Sequence, residues 1–170
     1  LSTIDFKSAK ADMEKNMRII FIRHGDPDYA NDTLTAKGRI EAELLSDRVS
    51  KWNVKEFYCS PLGRAKDTAE YSLKRMNMEA TVCEWLKGFY YPIKDPVTGS
   101  ERISWDFFPS YWTEMEEMYN KDNWMNTPVL ATGDIASKAK MVYDGIDGIL
   151  KSHGYERYKN YYKAVKPNTD

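Results

Sequence analysis

Ile19-Ile20-Phe21-Ile22-Arg23-His24-Gly25-Asp26-Pro27 decides the reading of this chain, because a β-branched apolar run stops abruptly at an arginine, a histidine and a glycine. A run of that kind predicts a core strand over residues 17–23. Open α/β sheets hold their ligands just past the carboxyl ends of their strands, so His24 is placed for chemistry rather than packing. A second stretch repeats the theme. Glu56-Phe57-Tyr58-Cys59 reads as another strand, and Ser60-Pro61 turns it into a helix that carries Arg64. Two guanidinium groups and an imidazole at the ends of two strands make a candidate phosphate pocket.

Working outward, the elements alternate: helix about 35–51, strand 55–59, helix 61–76, strand 79–85. That order predicts an α/β fold with a mainly parallel sheet and crossover helices. Ile40, Leu44, Leu45, Val49 and Trp52 fall near helical spacing and predict one apolar face turned to the sheet, with Thr35 as N-cap. Between Phe89 and Asn126 the texture changes to crowded aromatics among Pro, Gly and acidic residues. Residues 88–127 therefore read as an insertion with its own small core. The insertion is either a lid over the substrate pocket or a satellite hydrophobic cluster that uses aromatics. A helix over 135–151 carries Val142, Ile146, Ile149 and Leu150 on one stripe and ends near Ser152-His153-Gly154, with Gly154 as its cap. Tyr155 to Val165 reads as a hairpin turning at Lys159-Asn160. Residues 1–16 form a short N-terminal extension, and 17–170 form the α/β domain.

Composition narrows the function classes. The chain has 170 residues with 25 basic and 26 acidic side chains, a formal net charge of −1, so any anion binding must be local. This disfavours a nucleic-acid module. No apolar stretch approaches the roughly 18 residues needed to span a bilayer, and residues 1–16 lack the apolar core of a signal peptide, so a cytoplasmic protein is the expectation. Cys59 and Cys83, both in predicted strands, read as reduced core thiols. Metal-ligand spacings such as His-x-x-x-His or Cys-x-x-Cys do not occur, and no metal or other cofactor is expected.

Three blocks in order resemble the histidine phosphatase (phosphoglycerate mutase-like) superfamily: Arg23-His24-Gly25, Leu34-Thr35-Ala36-Lys37-Gly38, and Ser60-Pro61-Leu62-Gly63-Arg64-Ala65-Lys66-Asp67-Thr68-Ala69. The resemblance implies a phosphomonoester hydrolase, or a mutase relative, acting on a small phosphorylated substrate without metal. His24 would attack phosphorus and form a phosphohistidine that water hydrolyses. Arg23 and Arg64 would hold the phosphoryl oxygens with charged, forked donors, and Gly25 would let the backbone approach the bound group. The competing reading for each arginine is an ordinary ion pair, with Asp26 or Asp67 the nearest partners in sequence. A cysteine-dependent phosphatase is set aside, since Cys59 to Arg64 is C-x4-R with Pro61 inside it.

Two departures qualify the resemblance. The family's proton-donating glutamate falls where this chain has Gly88; Glu84, which would share a strand face with Leu86, is the nearest carboxylate and a stand-in, with Asp26, Asp28 and Asp106 as others. The family's second pocket histidine has only His153 as a counterpart, and that residue reads as helix-terminal instead. The expectation is a domain lacking its C-terminal strand and histidine, whose incomplete sheet would favour self-association or a covering partner. The alternative function is a truncated or catalytically impaired phosphate-binding domain of the same fold.

Overall fold

The computed structural model describes residues 17–107 and 109–166, so the N-terminal extension read at 1–16 lies outside the described residues. The chain divides into two compact units, one formed by residues up to Val82 together with those from Ile146 onward, the other by Cys83–Gly145.

In the first unit the hairpin strands β1 (Pro27–Asp28) and β2 (Thr33–Leu34) pair antiparallel, Pro27 opposite Leu34. Helix α1 (Ala36–Val49) follows, then β3 (Phe57–Cys59), helix α2 (Gly63–Met76) and β4 (Ala80–Val82). Strands β3 and β4 pair in parallel, Tyr58 opposite Thr81, with α2 as the crossover between them. This is the βαβ unit that alternating elements predict. Thr35 caps α1 by accepting from the Gly38 N–H, as its position in the sequence implies. At the far end of α2, Asn77 takes the left-handed conformation at φ 51° and its N–H returns to the Leu73 and Lys74 carbonyls.

The buried faces of these helices are not the expected ones. Helix α1 buries Gly38, Ala42, Ser46 and Val49, while Ile40 and Leu44 stand 60% and 64% exposed. It packs against α2, which buries Thr68 and Ser72. Small residues on both sides allow close helix approach, so shape rather than apolar bulk selects the buried stripe. Arg75 of α2 pairs with Asp47 of α1 along the same seam.

The predicted core strand 17–23 is the largest correction. Residues 17–25 carry no strand assignment, and Ile19, Ile20, Phe21 and Ile22 are 44–76% exposed. A β-branched run favours extended backbone, but a strand also needs a neighbour to take its N–H and C=O groups, and among the described residues this run has no ladder partner. Among the described residues the sheets are accordingly two-stranded, and β3 and β4 are the pair that runs parallel. The strand expected over 79–85 ends at Val82 and gives way to a 3₁₀ turn, Glu84–Leu86, so Cys83 lies past the strand and Glu84 does not share a strand face with Leu86.

The second unit has a different character. Strands β5 (Pro92–Lys94) and β6 (Glu101–Ile103) form an antiparallel pair. Short helices α3 (Pro109–Thr113), α4 (Glu116–Tyr119) and α5 (Pro128–Ala131) follow. Ile93, Phe107, Met118, Val129, Leu130 and Ile135 form its buried core, with Phe89, Tyr91, Tyr111, Trp112, Met115 and Trp124 packed around them. Most of the aromatic crowding read from the sequence is thus spent on packing, although Tyr90, Trp105 and Tyr119 remain exposed. Asp95 is buried at the β5 turn, accepting from the Val97 and Thr98 N–H groups and pairing with Arg102 at 3.1 Å.

Helix α6 (Ile135–Ser152) begins in the second unit and ends in the first. Gly154 follows with φ 82°, the left-handed conformation that a glycine cap takes at lowest cost. Strands β7 (Tyr155–Tyr158) and β8 (Tyr161–Ala164) form the expected hairpin, turning through Lys159 at φ 57°. Among the described residues no helix is long and apolar enough to cross a membrane.

Candidate active site

The motif blocks converge because two glycines let backbone touch backbone. A Cβ on Gly25 would lie 2.8 Å from the Gly38 carbonyl oxygen, and one on Gly38 would strike the Asp26 backbone. The Arg23-His24-Gly25 loop is therefore seated directly on the first turn of α1. Thr35 secures it, donating from its backbone N–H to the Asp26 carbonyl at 3.0 Å and from Oγ1 to the Asp26 carboxylate at 2.7 Å. Glu41, one turn further along α1, accepts from the Asp26 N–H at 2.8 Å.

Thr68 makes the matching connection to α2. Its buried hydroxyl donates to the Arg64 carbonyl at 2.8 Å and accepts from the Gly25 N–H at 3.1 Å. One side chain thus ties the turn bearing Arg64 to the loop bearing His24. Thr68 stands in the quoted motif, but its linking role is invisible in sequence because the partner lies 43 residues away.

His24 is half-buried, with Nδ1 2.8 Å from the Gly25 carbonyl oxygen. A carbonyl only accepts, so this contact requires the proton on Nδ1, and the neutral ring then carries its lone pair on Nε2. The Tyr29 ring meets the imidazole edge-on with centroids 6.3 Å apart. The same ring lies 5.3 Å from the Arg64 guanidinium carbon, a cation–π distance. Tyr29 therefore stands between the histidine and the arginine, its own side largely in solvent at 66% exposure.

Arg64 is paired, though with neither carboxylate its sequence neighbourhood offered. Its Nη1 lies 2.5 Å from Oδ1 of Asp32, and Oδ2 of the same carboxylate accepts from the Gly63 N–H at 2.7 Å. These donors, the Gly63 N–H first and the Arg64 side chain after it, hold the Asp32 carboxyl below its ordinary range. Asp67 instead receives the Thr33 hydroxyl and pairs with Arg39, fixing the β1–β2 hairpin to both helices. Asp28 closes the base of the hairpin loop, accepting from Ala30 and Asn31, and the Asn31 amide keeps its carboxyl low. Tyr29 and Asp32 are the loop residues that sequence reasoning missed. Only the turn-forming character of Asn31-Asp32 signalled a tight loop, and nothing indicated where its side chains reach.

The other candidates are placed differently. Arg23 is exposed and, among the described residues, makes no hydrogen bond or ion pair. Glu84 lies in the 3₁₀ turn of the second unit, where Lys87 Nζ pairs with its Oε2 at 2.6 Å and is itself held above the ordinary lysine range by that carboxylate. His153 directly follows α6 and its Nε2 faces Glu56 at 3.5 Å, a helix-end position as read from sequence. Cys59 and Cys83 are not joined in a disulfide, and Cys59 is buried in β3. Among the described residues no cluster of His, Cys, Asp and Glu has the composition to hold a metal ion.

Residues 19–101 match the family model of the histidine phosphatase superfamily, branch 1. No curated protein matches the chain. Among solved structures, a mycobacterial glucosyl-3-phosphoglycerate phosphatase is similar at 17% identity and a TM-score of 0.42, over 74% of this chain and 61% of that one. This chain thus spans less than two thirds of that protein's length. The family match runs over the loop, the capped helix and the arginine-bearing turn that fold together here, so over residues 19–101 the chain is similar to the histidine phosphatase superfamily, branch 1.

Proposed function

We propose that the chain is a metal-independent phosphomonoester hydrolase in which His24 is the nucleophile and Arg23 and Arg64 hold the phosphoryl group. The observation that carries this reading is the Nδ1 contact to the Gly25 carbonyl, since in the neutral imidazole it puts the nucleophilic lone pair on Nε2. Nε2 attacks phosphorus, the P–O ester bond breaks, and the leaving oxygen departs with the bonding pair. Water then attacks the phosphohistidine, breaks the P–N bond, releases inorganic phosphate and restores the neutral imidazole. Arg64 supports the charge on the equatorial oxygens, and Arg23, adjacent in sequence and open to solvent, is a second charged donor. Gly25 lets the backbone sit close to the transferred group. The substrate is a small phosphate monoester, and a cytoplasmic setting suits this chemistry.

Glu84 is the proton donor to the leaving group in this proposal, and it must part from Lys87 to serve. That ion pair, together with Gly88 where the resembling family has glutamate, favours a second reading: a phosphate-binding domain with little turnover. An aryl phosphate separates the two roles, because a good leaving group departs without assistance from an acid. The test is hydrolysis of an aryl phosphate in chelator-containing buffer beside a His24→Ala variant. The expected result is turnover that falls by roughly a thousandfold or more in the variant. Phosphate binding with no turnover would select the second reading.

A further inference from the structure

We infer that Asp32 is an internal competitor of the substrate, its carboxylate seated on the anion clamp formed by Arg64 and the Gly63 N–H, so that a phosphate must displace it to bind. This inference rests on the phosphate-site reading above and adds a gate to it. Each carboxylate oxygen meets its own donor, Oδ1 the Arg64 guanidinium at 2.5 Å and Oδ2 the Gly63 amide at 2.7 Å. A positive guanidinium beside a helix-opening amide is the donor pair that suits two oxygens of a phosphate, and here a side-chain anion takes both.

Three features mark the carboxylate as a displaceable occupant rather than a structural anchor. Its side chain is 42% exposed, against 18% for Arg64, so solvent and ligand reach the anion while the cation stays sheltered. The Arg64 Nε is buried and has no hydrogen-bond partner, so the planar carboxylate leaves one guanidinium donor unspent. A tetrahedral anion with three free oxygens has acceptors to spare for it. Finally, Asp32 sits at φ 48°, in the left-handed region, at the end of a short hairpin loop whose other member at the site, Tyr29, rests on Arg64. The loop thus delivers a ring to the guanidinium and an anion to the clamp, and only the anion has to move when phosphate enters. With Asp32 seated, the clamp is close to neutral, and a dianion arriving beside it would meet a like charge.

The test is calorimetric titration of the full chain with inorganic phosphate, comparing the unaltered protein with Asp32→Asn and Arg64→Ala. Asparagine keeps the size, tolerates the positive φ and can still accept from the Gly63 N–H, but carries no charge. The expected result is phosphate binding tightened by roughly tenfold in Asp32→Asn, the order of one screened like-charge interaction, with a lowered KM for the aryl phosphate. Asp32→Gly, which also suits the left-handed backbone, repeats the measurement if the first variant folds poorly. Equal or weaker binding in the Asp32 variants, with binding still lost in Arg64→Ala, overturns the competitor and leaves the phosphate site standing. Binding absent throughout, or unaffected by Arg64→Ala, removes the site and the competitor together.

Discussion

The two units of this chain are held together by different physics. In the first, the positions that matter most are glycines, threonines and small helix residues: Gly25 on Gly38, Thr68 between Gly25 and Arg64, and Ala42 and Ser46 buried in α1. Its large aliphatic run, Ile19 to Ile22, stays exposed. The second unit buries Ile93, Phe107, Met118, Leu130 and Ile135 in one cluster and surrounds them with aromatic rings. One region spends its sequence on close backbone approach and directed hydrogen bonds, the other on apolar area. The first design suits the loop that carries His24, because glycine contacts and paired amides fix positions with little bulk around it.

That contrast can be broken most forcefully at Leu130. Its side chain is fully buried, so Leu130→Ala should cost about 2–5 kcal/mol through lost burial and the cavity left behind. Urea unfolding followed by tryptophan fluorescence reads this directly, since Trp85, Trp105, Trp112 and Trp124 all belong to the second unit. A loss well under 1 kcal/mol would mean that the cluster is not a true core.

Gly38→Ala sharpens the comparison from the other side. Helix propensity alone favours alanine by about 1 kcal/mol. The added Cβ, however, would land on the Asp26 backbone, which cannot give way without moving the loop that carries His24. Overpacking of that kind costs about 1–3 kcal/mol, so the clash should win, lowering both stability and aryl phosphate turnover. A stabilised, fully active Gly38→Ala protein would refute the close seating of loop on helix.

The smallest expected effect is electrostatic. Asp95 in the second unit and Asp28 and Asp32 in the first are all held below the ordinary carboxylate range. Backbone amides do this for Asp95, the Asn31 side chain first for Asp28, and the Gly63 amide first for Asp32. A carboxyl whose folded pKa is depressed contributes stability above its unfolded value of about 3.9 and loses it as pH falls through the folded value. The urea midpoint should therefore be insensitive to these groups above about pH 5 and decline below about pH 4. Asp95 is the buried one and is paired with Arg102, so Asp95→Asn should remove more of that decline than Asp28→Asn. Equal slopes in both variants would count against a special role for the buried pair.

Local chemistry was legible in the sequence and non-local pairing was not. Thr35 as a cap, Gly154 after the last helix and the turn at Lys159 were readable because each depends on residues within one turn of chain. The apolar run 19–22 misled because β propensity reports a preference for extended backbone, whereas a ladder needs a partner supplied from elsewhere. Ile40 and Leu44 misled for a related reason: α1 lies against another helix at small residues, and hydrophobic spacing does not reveal which stripe permits close approach. His24 and Arg64 stood out through their motifs. Tyr29 and Asp32 did not, since an ordinary hairpin loop becomes part of the site only when the fold carries it to Arg64.

The measurement closest to the central claim is trapping of the phosphorylated chain. A rapid quench during aryl phosphate turnover, followed by peptide analysis, should find phosphate on the His24 peptide, labile in acid and stable in base as a phosphoramidate is, and none in His24→Ala. Phosphate on another residue, or undiminished turnover in His24→Ala, would contradict the assignment of His24 as nucleophile.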